Sequence, residues 1–330
     1  MELKKLVTFN MNYQFEKYVC TTQTLKETLN IYGVAIIPDV ISHSECEQMV
    51  SMIWDFFEHI TSSWETPLNR NKKDTWREFY KLYPLHSMLI QYWGVGHAQV
   101  SWELRQKESI ANIFAHLWNC TIEELLVSFD GLSFNLPPEV TKRGWNRNNT
   151  WYHTDQSFTN EKFSCVQSFI TGLDINEYDA TFSFYEGSHR LHRKFKNHFE
   201  ITDKTNWYKL NRIEEQFYSN CVKTCIKCPK GSLVLWDSRT IHCGIEASKQ
   251  RTVPNFRAVV YLCYMPRKDS DKKNLIKKQK AFNELRSTTH YPHKIKLFAK
   301  NPRSYGNEMP VITPINKPIL NEFGKKLAGF

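Results

Sequence analysis

His153 and Asp155 stand two residues apart in the stretch Trp151-Tyr152-His153-Thr154-Asp155. On a β-strand, or at its end, residues i and i+2 project to the same side, so this imidazole and this carboxylate can aim at one point. A metal ion held by the pair needs a third ligand from elsewhere in the chain. The best candidate is His242, which closes the run Gly231-Ser232-Leu233-Val234-Leu235-Trp236-Asp237-Ser238-Arg239-Thr240-Ile241-His242. Two histidines and one carboxylate cover one face of an octahedral metal and leave the opposite face open. That donor set suits a non-haem Fe(II) centre that activates oxygen.

Taken singly these residues carry little, because a histidine is more often a satisfied polar residue than a ligand. The set carries more. The triplet falls between two predicted strands, and His242 follows a hydrophobic strand that is preceded by a glycine turn. Arg257 then opens the apolar run Phe256-Arg257-Ala258-Val259-Val260-Tyr261. An arginine there is poorly placed as a free surface group, and a guanidinium can grip a carboxylate through two parallel hydrogen bonds.

The elements that must position these groups follow from periodicity. Residues 25–32 read as a helix and 33–38 as a short β-run closed by Pro38. Ser42-His43-Ser44-Glu45 resembles a capping box. It opens a helix to about residue 60, with Cys46, Met49, Val50, Ile53, Trp54, Phe56 and Phe57 on its apolar side. Residues 62–80 read as an exposed loop, and 84–92 and 106–118 as helices. From about residue 125 the period becomes strand-like, with strands expected at 126–134, 163–173, 180–185, 221–226, 232–237 and 256–265. Strands at this density, joined by turns, predict a sandwich or barrel. A basic helix to about residue 286 and a proline-rich segment at 292–318 close the chain. The reading is one domain over 1–330: a helical N-terminal part at 1–120, a β core at 121–266 and a C-terminal extension at 267–330.

The formal net charge of +10 favours anionic partners without naming one. No zinc-finger, RNP or helix-turn-helix signature accompanies it, so any nucleic-acid binding is expected to be non-specific and steeply salt-dependent. No run of about 18 or more apolar residues predicts a membrane span, and the opening residues lack the apolar core of a signal peptide. A cytoplasmic or nuclear location is expected. The nine cysteines are odd in number and scattered, which points to reduced thiols. Cys221, Cys225 and Cys228 cluster, but no fourth zinc ligand lies near them, and the bland reading is a strand followed by a turn.

The order and separation of these motifs resemble the phytanoyl-CoA dioxygenase family of Fe(II)/2-oxoglutarate-dependent oxygenases. The resemblance spans roughly residues 25–265. It rests on the 33–38 strand and following helix, the Trp151–Gln156 motif, Ala180-Thr181-Phe182-Ser183-Phe184-Tyr185-Glu186-Gly187-Ser188-His189, the 231–242 run and Phe256-Arg257-Ala258. It implies a mainly β, α+β fold: a double-stranded β-helix (a cupin-like jelly roll) with N- and C-terminal helical additions. It implies Fe(II) on His153, Asp155 and His242, and the distal carboxylate of 2-oxoglutarate on Arg257, with O2 as the second co-substrate. The expected reaction is hydroxylation of a small molecule, possible anions included, with release of succinate and CO2. The retained Asp155 argues against halogenation. Where many members carry a hydroxyl two residues after the distal histidine, this chain has Gly244, so the second hydrogen bond to 2-oxoglutarate is expected from Ser133 or Asn135.

The rivals are an oxygenase acting on nucleic acid or protein, an inactive binding module on the same fold, and a zinc hydrolase using the same ligands. Arg257 speaks against the last. Other residues have bland readings. Glu186 to His189 read as a turn that shapes the barrel, Trp236 and Asp237 as packing beneath His242, and Lys277-Lys278-Gln279-Lys280 as a solvated helix face. Gln156 is placed beside the triad. Trp102, Glu103 and Arg105 either reach the substrate or form a buried ion pair. The oligomeric state has no signature in the sequence.

Overall fold

Eight strands form the core of the computed structural model, which describes residues 11–82 and 89–330. They are β1 (Leu132–Asn135), β2 (His153–Thr154), β3 (Val166–Thr171), β4 (Thr181–Tyr185), β5 (Lys223–Ile226), β6 (Leu233–Asp237), β7 (His242–Ile245) and β8 (Arg257–Leu262). One sheet runs β1-β8-β3-β6 and is extended by Val34–Ile37 beyond β6. The other runs β2-β7-β4-β5, flanked by Tyr208–Lys209 and by Asn12–Gln14. From β1 to β4, and again from β5 to β8, each strand crosses to the opposite sheet. All pairings among the eight are antiparallel. This is the double-stranded β-helix, or jelly roll, that the sequence reading expects.

The alternation of side chains divides the core in two. In β3, β6 and β8 one set (Val166, Ile170, Leu233, Leu235, Ala258, Val260, Leu262) packs under the N-terminal helices. The other set (Phe169, Val234, Trp236, Val259) fills the space between the sheets. Both faces are buried, so these strands are apolar on both sides except where a polar residue enters the interior. Gln167, Arg257 and Tyr261 belong to that inward set, and all three line one large cavity.

The helix His43–Ile60 begins with the expected box. Ser42 Oγ accepts from the Glu45 backbone N–H at 3.3 Å, and the Ser42 N–H donates to Glu45 Oε2 at 2.7 Å. Residues 62–80 differ from the expectation. Lys73–Leu82 is a 3₁₀ helix that buries Trp76, Phe79, Tyr80 and Leu82. Its aromatic rings pack on Trp54, Phe57 and Phe134. The polar composition hid this aromatic edge. Of the predicted 84–92 helix, residues 84–88 lie outside the described residues. The rest is not helical, and Ile90 bridges to Leu132.

The strand predicted over 126–134 is broken in two. Leu125–Val127 pairs with Tyr264–Pro266, and β1 pairs with β8. Gly131 sits at the break, where a Cβ would come within 1.8 Å of the Ile90 carbonyl oxygen, so only glycine fits. Arg105 is fully buried and donates to the backbone carbonyls of Gly96 and Asp130. It does not line the large cavity, and it forms no ion pair among the described residues. Lys278 is also fully buried, on the inner side of Lys272–Asn283. Its ammonium donates to the Val127 carbonyl, and burial pushes its pKa well down. Lys277 and Lys280 are exposed, so Lys278 alone departs from the expected solvated face.

All nine cysteines are free thiols. Cys221, Cys225 and Cys228 gather no further ligand among the described residues. No helix among the described residues is long and apolar enough to cross a membrane.

Candidate metal and co-substrate site

β2 and β7 are neighbours, and their register sets His242 opposite His153. Opposed residues share a face, which brings the two imidazoles together with ring centroids 4.4 Å apart. Asp155 follows β2, its backbone N–H held by the Ser238 carbonyl at 3.1 Å. Its carboxylate oxygens lie 3.6 Å from His153 Nε2 and 3.3 Å from His242 Nε2. The three residues are buried, with ligand atoms all within 4.8 Å of one another, and no other such cluster occurs among the described residues.

Each histidine is oriented by its own backbone. His153 Nδ1 faces the Trp151 carbonyl at 3.1 Å, and His242 Nδ1 faces the Thr240 carbonyl at 2.9 Å. A carbonyl only accepts, so each Nδ1 carries the proton and each Nε2 keeps a free lone pair on the side where the three residues converge. Aromatic rings hold the imidazoles in place: Trp151 stacks on His153 at 4.7 Å, and Phe182 on His242 at 5.0 Å. Burial, reinforced by His242, lowers the His153 pKa to about 4. Burial alone would raise the Asp155 carboxyl, but the two imidazoles hold it well below the usual carboxylate range. At neutral pH Asp155 is an anion and His153 a neutral nitrogen donor, the protonation state a divalent cation needs.

Gln167 was missed by the sequence reading as a site residue. From β3 its Nε2 donates to Asp155 Oδ2 at 2.9 Å and approaches Ser238 Oγ at 3.2 Å, fixing the carboxylate. Gln156 faces elsewhere. It bonds the carbonyls of Asn160 and Lys162 and the Ser164 hydroxyl, and so fastens the loop after the triad. Ser188 Oγ accepts the Ile241 N–H at 2.9 Å, and His189 bonds the Asn30 carbonyl, so the 186–189 turn braces the segment entering β7. Trp236 packs at 5.4 Å from the His242 ring, while Asp237 pairs with Arg239.

A cavity of about 1110 Å³ opens onto the triad. Arg257 lines it from β8 at 3% exposure. Its Nη1 donates to the Ala180 carbonyl at 3.1 Å, its guanidinium lies over Phe169, and its buried Nε has no hydrogen-bond partner. No carboxylate pairs with it among the described residues. Arg251, the other buried arginine of this region, is already matched by Glu139 and by Asp179 at 3.1 Å. Tyr261 projects from the same face of β8 as Arg257, with its hydroxyl beside the guanidinium. Asn135 and Ser133 face the interior from β1, opposite Arg257 and Val259. The Ser133 hydroxyl donates to Asn135 Oδ1 at 3.0 Å, and neither residue is among those that line the cavity. The far wall comes from the C-terminal extension, including His290 and Tyr291. The Tyr291 hydroxyl reaches the Asp155 backbone carbonyl at 3.2 Å.

A jelly roll with a buried two-histidine, one-carboxylate cluster and an arginine without a counter-ion on the wall of the same cavity has the architecture of an iron- and 2-oxoglutarate-dependent enzyme. The chain belongs to the phytanoyl-CoA dioxygenase (PhyH) family, whose sequence model matches residues 29–252. Ava biosynthesis cluster protein O from Aspergillus versicolor is 29% identical over 213 residues, covering 62% of this chain and 66% of that protein. The chain thus spans just under two thirds of that relative's length. Among solved structures, GlcNAc Inducible Gene 2 from Candida albicans superposes with a TM-score of 0.61 at 12% identity, over 93% of this chain and 76% of that one. The non-heme alpha ketoglutarate dependent carbocyclase SnoK, from nogalamycin biosynthesis, gives 0.50 at 14% identity, over 75% and 86%. At these identities the structural likeness carries the fold alone.

Proposed function

We propose that the protein is an Fe(II)- and 2-oxoglutarate-dependent dioxygenase that hydroxylates a small molecule, with release of succinate and CO2. The observation that carries this reading is the pairing, in one cavity, of the His153–Asp155–His242 cluster with a buried guanidinium that lacks an anion. A buried guanidinium without a counter-ion is costly. A dicarboxylate that chelates the metal at one end and meets Arg257 at the other would relieve it.

In this reading His153, Asp155 and His242 hold Fe(II) on one face. Arg257 takes the distal carboxylate of 2-oxoglutarate as a two-pronged donor. The Tyr261 hydroxyl stands where it could supply the hydrogen bond that Gly244 cannot, ahead of Ser133 and Asn135. When bound, iron with 2-oxoglutarate and O2 supplies the oxidising power for an unactivated C–H bond. The remaining work is positional: aromatic walls exclude water and leave one side of the metal for substrate.

The test is anaerobic titration of the Fe(II)-loaded protein with 2-oxoglutarate, followed by admission of O2. Saturable binding and iron-dependent succinate are expected. A protein that loads Fe(II) yet neither binds 2-oxoglutarate nor forms succinate would be an inactive module. Gln167 offers a finer check on the metal assignment. Gln167→Leu removes a donor from Asp155 without touching a ligand, so Fe(II) affinity is expected to fall roughly 10–100-fold while the fold persists. Unchanged affinity by metal-competition titration would remove Gln167 from the site.

A further inference from the structure

The break between the two strands at 125–135 puts a carboxylate into the cavity. Asp130 is 7% exposed and lines the cavity wall. Its Oδ1 accepts from the Gly131 N–H at 2.8 Å. The nearby Arg105 Nη2 goes to the Asp130 backbone carbonyl instead, and no cation pairs with the carboxylate among the described residues. Burial pushes this carboxyl up, with Asp155 adding to the effect and His290 opposing it.

His290 shares the wall and comes from the C-terminal extension, beyond the family match. Its Nε2 is buried without a hydrogen-bond partner. The two residues are not loosely associated. The Thr288 N–H donates to the Phe129 carbonyl at 2.9 Å, and the Phe129 N–H donates to Thr288 Oγ1 at 3.1 Å. That reciprocal pair clamps the extension to the strand break one residue from Asp130 and two from His290. Such a fixed backbone frame holds polar groups in place before a ligand arrives.

With the site loaded as proposed above, the charges of Fe(II) and Arg257 are balanced by Asp155 and the 2-oxoglutarate dianion. Asp130 is left over. A buried carboxylate with a single backbone donor and no cation is unfavourable, so a further partner is expected to arrive with the ligand. Lys209, Lys294 and Lys296 line the same cavity and disfavour a cation there. Trp207, 53% exposed with its ring 5.9 Å from His153, offers an apolar face beside the His153–Asp155–His242 cluster.

We propose that Asp130 and His290 form the polar end of the primary-substrate subsite, and that they bind a hydroxyl group carried on a flat apolar body. The hydroxyl donates to the Asp130 carboxylate and meets the unpartnered His290 nitrogen. This inference rests on the dioxygenase reading.

The test uses the full-length protein loaded with Mn(II) and 2-oxoglutarate. The probes are naphthylmethanol, naphthylmethylamine, methylnaphthalene and naphthoate, with binding followed by tryptophan fluorescence. Naphthylmethanol is expected to bind at least about tenfold more tightly than the other three, since a site built around a hydroxyl rejects analogues that lack it. Asp130→Ala and His290→Phe should each erase that preference while 2-oxoglutarate affinity stays within about twofold. Asp130→Asn keeps an acceptor for the Gly131 N–H and should retain part of the preference; His290→Phe lies on the extension and keeps the test open if Asp130→Ala does not fold. Equal binding of naphthylmethanol and methylnaphthalene overturns the proposal, as does a preference for the amine or for naphthoate. Loss of 2-oxoglutarate affinity in Asp130→Ala also overturns it, by moving Asp130 into the co-substrate site. Failure of the wild-type protein to bind 2-oxoglutarate would instead sink the reading beneath it.

Discussion

Asp155→Ala is expected to leave the protein folded but unable to retain Fe(II), with succinate formation lost. The change removes the one anionic donor of the cluster and leaves two neutral imidazoles, which hold a labile divalent ion poorly. Its cost should exceed the roughly 10–100-fold that follows from disturbing a neighbour of a ligand, so Asp155→Ala should be clearly worse than Gln167→Leu. The fold should survive because Asp155 is held through its backbone as well, by the Ser238 and Tyr291 contacts. The measurement is equilibrium metal loading with circular dichroism as the folding control. Wild-type iron content and wild-type succinate from this variant would sink the metal assignment.

The parts of this site that were legible in the sequence are those fixed by local geometry. His153 and Asp155 share a side because strand residues alternate, and Ser42 and Glu45 form a box because a helix start has free N–H groups. Arg257 could be singled out because a cation in an apolar strand has to be explained. The parts that were not legible depend on partners distant in sequence. Gln167 reads as one polar residue in an alternating strand, and only the folding of β3 beside the triad gives it Asp155. Asp130 was hidden because 126–134 reads as one continuous strand; the break depends on the close approach of Ile90 to Gly131, residues distant in the chain. His290 and Tyr291 lie in an extension with no periodicity to place it, and it is the clamp between Phe129 and Thr288 that brings them to the cavity wall. Lys278 looked solvated because a run of basic residues normally is, yet its stem and head are buried against Phe129 and the Val127 carbonyl. Conversely, the pairing of Ser133 with Asn135 leaves each with a partner before any ligand binds, whereas Tyr261 stands beside Arg257 on the cavity wall.

Arg257→Ala is expected to weaken 2-oxoglutarate binding by on the order of 10² or more while metal loading is unchanged. Hydrogen bonds to charged groups contribute about 1.5–3 kcal/mol each, and a two-pronged guanidinium makes two of them to one carboxylate. The loss should therefore fall on the co-substrate and not on the cation, because Arg257 sits on β8 and makes no contact with the three metal ligands among the hydrogen bonds and ion pairs described. Arg257→Lys should recover only part of the affinity: an ammonium keeps the charge but cannot present two parallel donors. The ordering of wild type, lysine and alanine separates a carboxylate grip from a packing role, since a residue needed only for its contact with Phe169 would respond to lost stem volume and not to head-group geometry. Arg251 provides the internal control. It is equally buried but already matched by Glu139 and Asp179, so Arg251→Lys should alter stability without shifting 2-oxoglutarate affinity. Both sets of variants are to be titrated with 2-oxoglutarate in the Mn(II)-loaded state, with folding followed by circular dichroism. If the Arg257 variants fold, load metal and bind 2-oxoglutarate like the wild type, the guanidinium is a structural donor to Ala180 and the dicarboxylate must be held elsewhere.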